Sequence, residues 1–93
     1  MAIPDEVLTW LEEISAQCDP PPWTAMVEGR DMLGGDSFIQ VGADTARGED
    51  IYLTRDSGPA NAAYLDLVAA ARTYLPALVS EVRALRARLD GES

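Results

Sequence analysis

Apolar residues recur at spacings of three, four, three and four positions near the end of the chain. They are Leu75, Leu78, Val82, Leu85 and Leu89. This spacing predicts a helix over 73–89 that packs along another helix, with Thr73 as its cap, Pro76 in its first turn and Gly91 as its stop. Two repeats are too short for a free-standing coiled coil. We therefore expect the helix to pack on its own sheet, on the preceding helix, or on a second copy of the chain.

Two further helices are predicted by the same periodicity. One follows Asn61, a suitable N-cap, and is expected to bury four residues. These are Tyr64, Leu67, Val68 and Ala71. The other covers 4–18, with Pro4 at its start and two acids in its first turn, where the helix dipole favours them. Its predicted apolar stripe consists of Val7, Leu11, Ile14 and Cys18, with Leu8 and Trp10 beside it.

Between these helices, apolar and polar residues alternate as they do in strands. The candidate strands are 23–28, 37–42 and 50–55, each rich in β-branched or aromatic residues and bounded by glycine or aspartate. Short connections favour an antiparallel meander. The predicted fold is therefore α+β, a three-stranded antiparallel meander with an N-terminal helix and two C-terminal helices (α-β-β-β-α-α), in a single domain over 1–93.

The alternation also predicts two faces for this sheet. One face carries Ala25, Val27, Ile39, Val41, Ile51 and Leu53. The other carries Met26, Phe38, Gln40, Tyr52 and Thr54. Because both faces are partly apolar, we expect a helix or a partner to cover the second one. Met26, Phe38 and Tyr52 are thus candidate interface residues, together with the five apolar residues of the last helix.

Composition narrows the possible chemistry. The chain has no histidine and a single cysteine, Cys18, which argues against structural zinc and against the usual general base. No sequence motif indicates a catalytic, metal-binding or cofactor-binding residue. Glu28 and Asp50 lie on neighbouring predicted strands, and an acid–base pair of carboxylates is a remaining possibility. We nevertheless expect a protein that is not an enzyme and holds no metal or cofactor.

Charge is distributed unevenly along the chain. The net charge of −9 comes entirely from residues 1–50, which hold eleven acids and two arginines. Such a charge disfavours direct binding to nucleic acid or to anionic membranes and favours a basic protein partner. The candidate acidic surface consists of Glu12, Glu13, Asp31, Asp36, Asp44, Glu49 and Asp50. The same acids also have a simpler interpretation, since acidic side chains keep small proteins dispersed. A cytoplasmic location is expected.

The tail resembles a known family. Its Ala-Ala-Ala-Arg run at 69–72, followed by Pro76 and Leu78 and then by Glu81 and Val82, is similar to the C-terminal part of the Ead-like family of phage accessory proteins. The resemblance covers 61–89, and the segments PPW, VEGRD, GDSFI and RGEDIY resemble the strand region of uncharacterised bacterial and phage proteins. It implies an accessory, oligomeric protein and no catalytic residue. The short N-terminal helix departs from relatives that have longer coiled regions there.

Three functions remain open at this point. The leading hypothesis is a non-enzymatic interaction module that forms a homo-oligomer through the last helix, the second sheet face, or both. The alternative is an acidic inhibitor or nucleic-acid mimic, of the phage type, that binds a basic groove on a host protein. The third is a small hydrolase that uses carboxylates.

Overall fold

A computed structural model describes residues 2–92 and has the predicted α+β character. Its elements are α1 (Asp5–Ala16), β1 (Trp23–Met26), β2 (Phe38–Val41), β3 (Thr54–Arg55), β4 (Gly58–Pro59) and α2 (Ala62–Glu92). The strands form two separate antiparallel pairs, β1–β2 and β3–β4. The prediction of a clean three-stranded meander with two C-terminal helices was wrong, because there are two short strand pairs and one long C-terminal helix.

The chain divides into two compact units. One consists of the described residues of 1–18 and 74–93, and the other of residues 19–73. Helix α2 contributes its first part to the second unit and its remainder to the first. Each unit is described by itself below, and the assignment of 1–93 to a single domain stays a prediction.

Strands β1 and β2 form the base of the unit 19–73. They pair in antiparallel register, with Trp23 opposite Val41 and Met26 opposite Phe38. Alternation directs Ala25 and Ile39 to one face, and Ile39 is fully buried there. The other predicted members of this face are buried or half-buried: Val27, Val41, Ile51 and Leu53. The prediction of the inner face is confirmed.

Helix α2 covers this inner face with Leu65 and Ala69, which form one core cluster with Ala25 and Ile39. The prediction had placed Tyr64, Leu67, Val68 and Ala71 in the interior. Of these, Val68 is half-buried and the other three are exposed. The buried face is therefore rotated by about one residue from the predicted one. Tyr64 is held outside because its hydroxyl accepts a hydrogen bond from Arg55 at 3.1 Å and its ring lies under that guanidinium.

The third predicted strand, 50–55, touches β2 at a single residue pair. Ile51 and Ile39 exchange two backbone hydrogen bonds of 2.8 and 3.0 Å. On one side, the N–H of Gly48 donates to the Val41 carbonyl. Continuing the register of the Ile39–Ile51 pair would instead place the residue after Gly48 opposite Val41. On the other side, the carbonyl of Leu53 accepts from Ala60. Because both neighbouring positions of the ladder bond elsewhere, no continuous third strand forms.

Helix α2 continues through Thr73 and does not begin again there, contrary to the predicted split. The Thr73 hydroxyl caps no helix; it accepts a hydrogen bond from the Trp23 N–H at 2.9 Å and donates to the Trp23 carbonyl at 3.1 Å. Pro76 therefore lies inside the helix, where its missing N–H removes one backbone hydrogen bond. Gly91 also lies within the helix and does not end it. The Asn61 cap is confirmed, since its side chain accepts from the Tyr64 N–H at 3.3 Å.

A second connection between the strands and α2 is ionic. Arg30 donates to both carboxylate oxygens of Asp66 at 2.9 Å and also bonds Asp31 at 2.9 Å. Asp31 in turn accepts from the Val27 N–H. These hydrogen bonds from Arg30 lower the pKa of Asp66 and of Asp31 below the ordinary aspartate value. All three side chains are solvent-accessible, so this cluster orients the loop before β2 more than it stabilises the fold.

We predict that Thr73→Val lowers the free energy of unfolding by about 1–2 kcal/mol, because it leaves a partly buried donor and acceptor of Trp23 without partners. Thr73→Ser keeps the hydroxyl and serves as the matched control. Urea denaturation of both variants provides the measurement. Equal losses for the two variants would show that packing of the methyl group, and not the hydroxyl, matters here.

Acid sensitivity tests the Arg30 cluster. Because the folded pKa values of Asp66 and Asp31 are lowered, their contribution to stability is present above the unfolded value of about 4 and is lost as pH falls through the folded values. Unfolding free energies between about pH 2 and 6 should therefore show a steeper acid decline for the native chain than for Arg30→Met. Arg88→Met, which removes the same charge from an exposed position of α2, should keep the native slope.

Candidate interaction surface

In the unit formed by 2–18 and 74–92, α1 and α2 run antiparallel. Arg86, near the end of α2, binds the Asp5 carboxylate and the Ile3 carbonyl, both at 2.6 Å. Arg83, one turn earlier, binds Glu12 at 2.6 Å and the Thr9 hydroxyl at 2.9 Å. The hydrogen bonds that Arg83 donates to Glu12 raise the pKa of its guanidinium. These ion pairs were not predicted from the sequence. One feature of the sequence indicates such ion pairs: the charged residues of α1 are all acidic, so they need basic partners from elsewhere in the chain.

The interior of this unit is small. Leu8 of α1 and Val79 of α2 are its buried residues, with 2% and 3% of their surfaces exposed. Leu11, Leu75 and Val82 are half-buried. The predicted stripe of α1 is therefore not the buried one, since Val7, Ile14 and Cys18 are exposed and Trp10 has 56% of its surface exposed. The two helices leave much of their apolar surface uncovered.

The predicted seam of the last helix separates into two sides. Leu75 and Val82 lie toward the half-buried side. Leu78, Leu85 and Leu89 have between 55% and 66% of their surfaces exposed, and Tyr74, which the predicted seam did not include, has 62%. The spacings of four, seven and four place these residues on one side of the helix. We call this set, Tyr74, Leu78, Leu85 and Leu89, the outer stripe of α2.

The second sheet face is also partly apolar. Met26 and Phe38 are half-buried, and Tyr52 has 56% of its surface exposed. The rings of Phe38 and Tyr52 pack with their centroids 5.7 Å apart. Within residues 19–73, the sheet thus has an aromatic pair on its outer side. This surface is smaller than the outer stripe of α2, and its role in an interface stays a prediction.

The candidate acids are largely engaged with neighbouring side chains. Glu12, Asp31 and Asp50 form ion pairs with arginines of the same chain, the last with Arg47 at 2.7 Å. Asp44 accepts a hydrogen bond from Gln40. The remaining candidates are exposed: Glu13, Asp36 and Glu49. The acids that carry the charge excess are therefore tied to several different local contacts and do not form one continuous row along a single element.

Two clefts are candidate sites of chemistry. The larger, of about 510 Å³, is lined by residues from both helix ends, including Ile3, Asp5, Arg86 and Leu89. The smaller, of about 140 Å³, lies between the 19–20 connector and the 41–48 loop. Among residues 2–92, no group of three or more histidine, cysteine or acidic side chains is arranged to hold a metal ion. The carboxylate of Asp50, proposed as half of an acid–base pair, is bound to Arg47.

Comparisons with known proteins give no relative for this geometry. No protein family matches the chain, and neither the curated proteins nor the solved structures include a significant match. The resemblance of the tail to the Ead-like family is not tested by these comparisons and stays a prediction. Within the described part of the chain, no helix has the length and apolar character needed to cross a membrane.

Proposed function

We propose that the protein is a non-enzymatic interaction module that associates with itself through the outer stripe of α2. The observation that supports this proposal is the exposure of Leu78, Leu85 and Leu89, each more than half accessible to solvent on one side of a helix. Scattered exposed leucines are ordinary on protein surfaces, whereas an aligned row of large apolar side chains is typical of an interface. An accessory role, such as the tail's resemblance implies, agrees with this proposal.

The energy available from this stripe is limited. Full burial of a leucine or similar side chain contributes about 1.5–3 kcal/mol, so half-exposed ones contribute about 1 kcal/mol each on association. Four side chains on each of two copies then supply about 8 kcal/mol, against an association cost of about 4–15 kcal/mol. The outer stripe by itself supports only weak association.

The acidic-mimic alternative has less support. A phosphate-like row requires carboxylates that are free to meet a basic groove. Three of the seven candidates, Glu12, Asp31 and Asp50, are already paired with arginines of the same chain. Binding to a basic partner would have to break these pairs. We therefore place self-association first.

Introducing charges into the outer stripe of α2 tests the proposal directly. The double variant Leu78→Glu/Leu85→Glu should weaken self-association at least about 100-fold, because it places charges in a desolvated contact. Ala84→Glu adds a charge to an exposed position of the same helix outside the stripe, and should leave the assembly unchanged. Light scattering coupled to size-exclusion chromatography measures the mass, and circular dichroism verifies the fold. A native chain that is monomeric even at high micromolar concentration would contradict the proposal.

Ionic strength tests whether an apolar contact holds the two copies together. Each copy carries a net charge of −9, so two copies repel each other at low salt and an apolar contact between them strengthens as salt screens the charges. We expect the dissociation constant of the native assembly to fall several-fold between about 10 and 150 mM NaCl, by analytical ultracentrifugation. Association that instead weakens with salt would indicate a contact made by opposite charges.

A further inference from the structure

The outer stripe of α2 has a counterpart on α1. Four apolar residues of the N-terminal segment recur at spacings of four, three and four, and all are exposed. They are Ile3, Val7, Trp10 and Ile14. They therefore lie on one side of α1 and its N-terminal extension, away from the side that buries Leu8. Both helices of this unit thus have one covered apolar side and one uncovered apolar side.

The two stripes face the same way. In α1 the exposed Val7 precedes the buried Leu8 by one position, and in α2 the exposed Leu78 precedes the buried Val79 by one position. One position is a rotation of 100° about the helix axis. Because the helices are antiparallel and turn their buried residues inward, equal rotations direct both stripes to the same side of the pair. The larger cleft agrees with this geometry, since Ile3 and Leu89 both line it.

The stripes are also matched in height along the helices. Arg83 lies beside Thr9 and Arg86 beside Asp5, which fixes the antiparallel alignment. Counting residues along both helices from these contacts places an apolar residue of α1 beside an apolar residue of α2 at three positions along the pair, which we call levels. The levels are Ile3 with Leu89, Val7 with Leu85, and Ile14 with Leu78. We call the eight residues of the two stripes the apolar face.

The size of the apolar face fits a second copy of the chain. From the exposed fractions of its eight side chains, the face offers roughly 800 Å², which is what each partner contributes to an interface of standard size. A lipid surface is a poorer occupant, because membrane-binding helices flank their apolar side with lysine and arginine. Helix α1 has only acids beside its stripe, and these would repel anionic lipids.

Charge decides how the second copy lies on this face. All four charged residues of 2–18 are acids, whereas the arginines of this unit, Arg83, Arg86 and Arg88, are all on α2. Stacking α1 on the partner's α1 would bring like charges together. Arg83 and Arg86 are already paired with Glu12 and Asp5 of their own chain. Stacking α1 on the partner's α2 brings the remaining acids, Glu6 and Glu13, toward the helix that carries Arg88, and it keeps the three apolar levels aligned without any shift along the helices.

We propose that the apolar face pairs with the same face of a second copy as a four-helix bundle, in which α1 of each copy packs antiparallel against α2 of the other. This inference rests on the proposed self-association and deepens it by naming the partner, the additional residues and the orientation. It adds α1 to an interface that the outer stripe of α2 makes only weakly by itself. The interface is symmetric, so each residue pair occurs twice.

Cysteine cross-linking tests the orientation. In a Cys18→Ser background, single-cysteine chains Val7→Cys and Leu85→Cys are mixed and oxidised, and mass spectrometry counts the mixed disulfide. We expect this pair to cross-link at least about tenfold more than Leu78→Cys mixed with Leu85→Cys, because adjacent positions of facing helices satisfy disulfide geometry. Ala84→Cys mixed with Val7→Cys is the control from outside the face, and should give little product.

The outcomes separate this inference from the proposed function. If the native chain is a dimer but the mixture of Leu78→Cys with Leu85→Cys gives the dominant mixed disulfide, the stated orientation is overturned and self-association stands. If the native chain is a dimer but Val7→Cys forms no cross-link with any of the other variants, α1 is not part of the interface. A native chain with a monomer mass at every concentration, and no cross-linking above the Ala84→Cys control, would overturn both.

Discussion

The hydroxyl of Thr73 takes the place of a neighbouring strand for Trp23. A hydroxyl both donates and accepts a hydrogen bond, and this one bonds the N–H and the carbonyl of the same residue at the start of β1. The contact fixes the rotation of α2 over the sheet, because Thr73 lies one turn after Ala69 and two turns after Leu65. Those two residues then meet Ile39 in the core. A sheet of two short strands has little apolar surface of its own, so the inner face depends on this placement of the helix.

Much of the fold follows from local patterns. Helix α1 and the strands β1 and β2 lie where periodicity and alternation predict them, and Ala25 and Ile39 occupy the predicted inner face. The third strand could not be predicted, because its loss depends on where the N–H of Gly48 and the carbonyl of Leu53 find partners. Such choices are made by tertiary contacts. The split at Thr73 was wrong for a related reason, since a threonine before a helical pattern is compatible with both a cap and a mid-helix hydrogen bond.

The candidate interface was predicted only in part. Leu78, Leu85 and Leu89 were visible as members of an apolar repeat, but α2 is apolar on more than one side, and a repeat alone does not say which side the chain covers. The same ambiguity placed Leu67 in the interior in place of Leu65. Exposure in the folded chain resolves it, and reveals the matching stripe on α1. The ion pairs of Arg83 and Arg86 could not be inferred from spacing, because they join residues more than seventy positions apart.

The antiparallel contact between α1 and the end of α2 has a topological consequence. Ile3 and Arg86 are joined by a hydrogen bond, so the N-terminal segment and the last turns of α2 lie at the same end of this unit. A chain with this arrangement can be inserted into a loop of another protein, since its first and last described segments need only a short gap in the host chain. For the same reason, a fusion attached at either end projects from one end of the helix pair, whereas the opposite end, near Ile14 and Leu78, continues into residues 19–73.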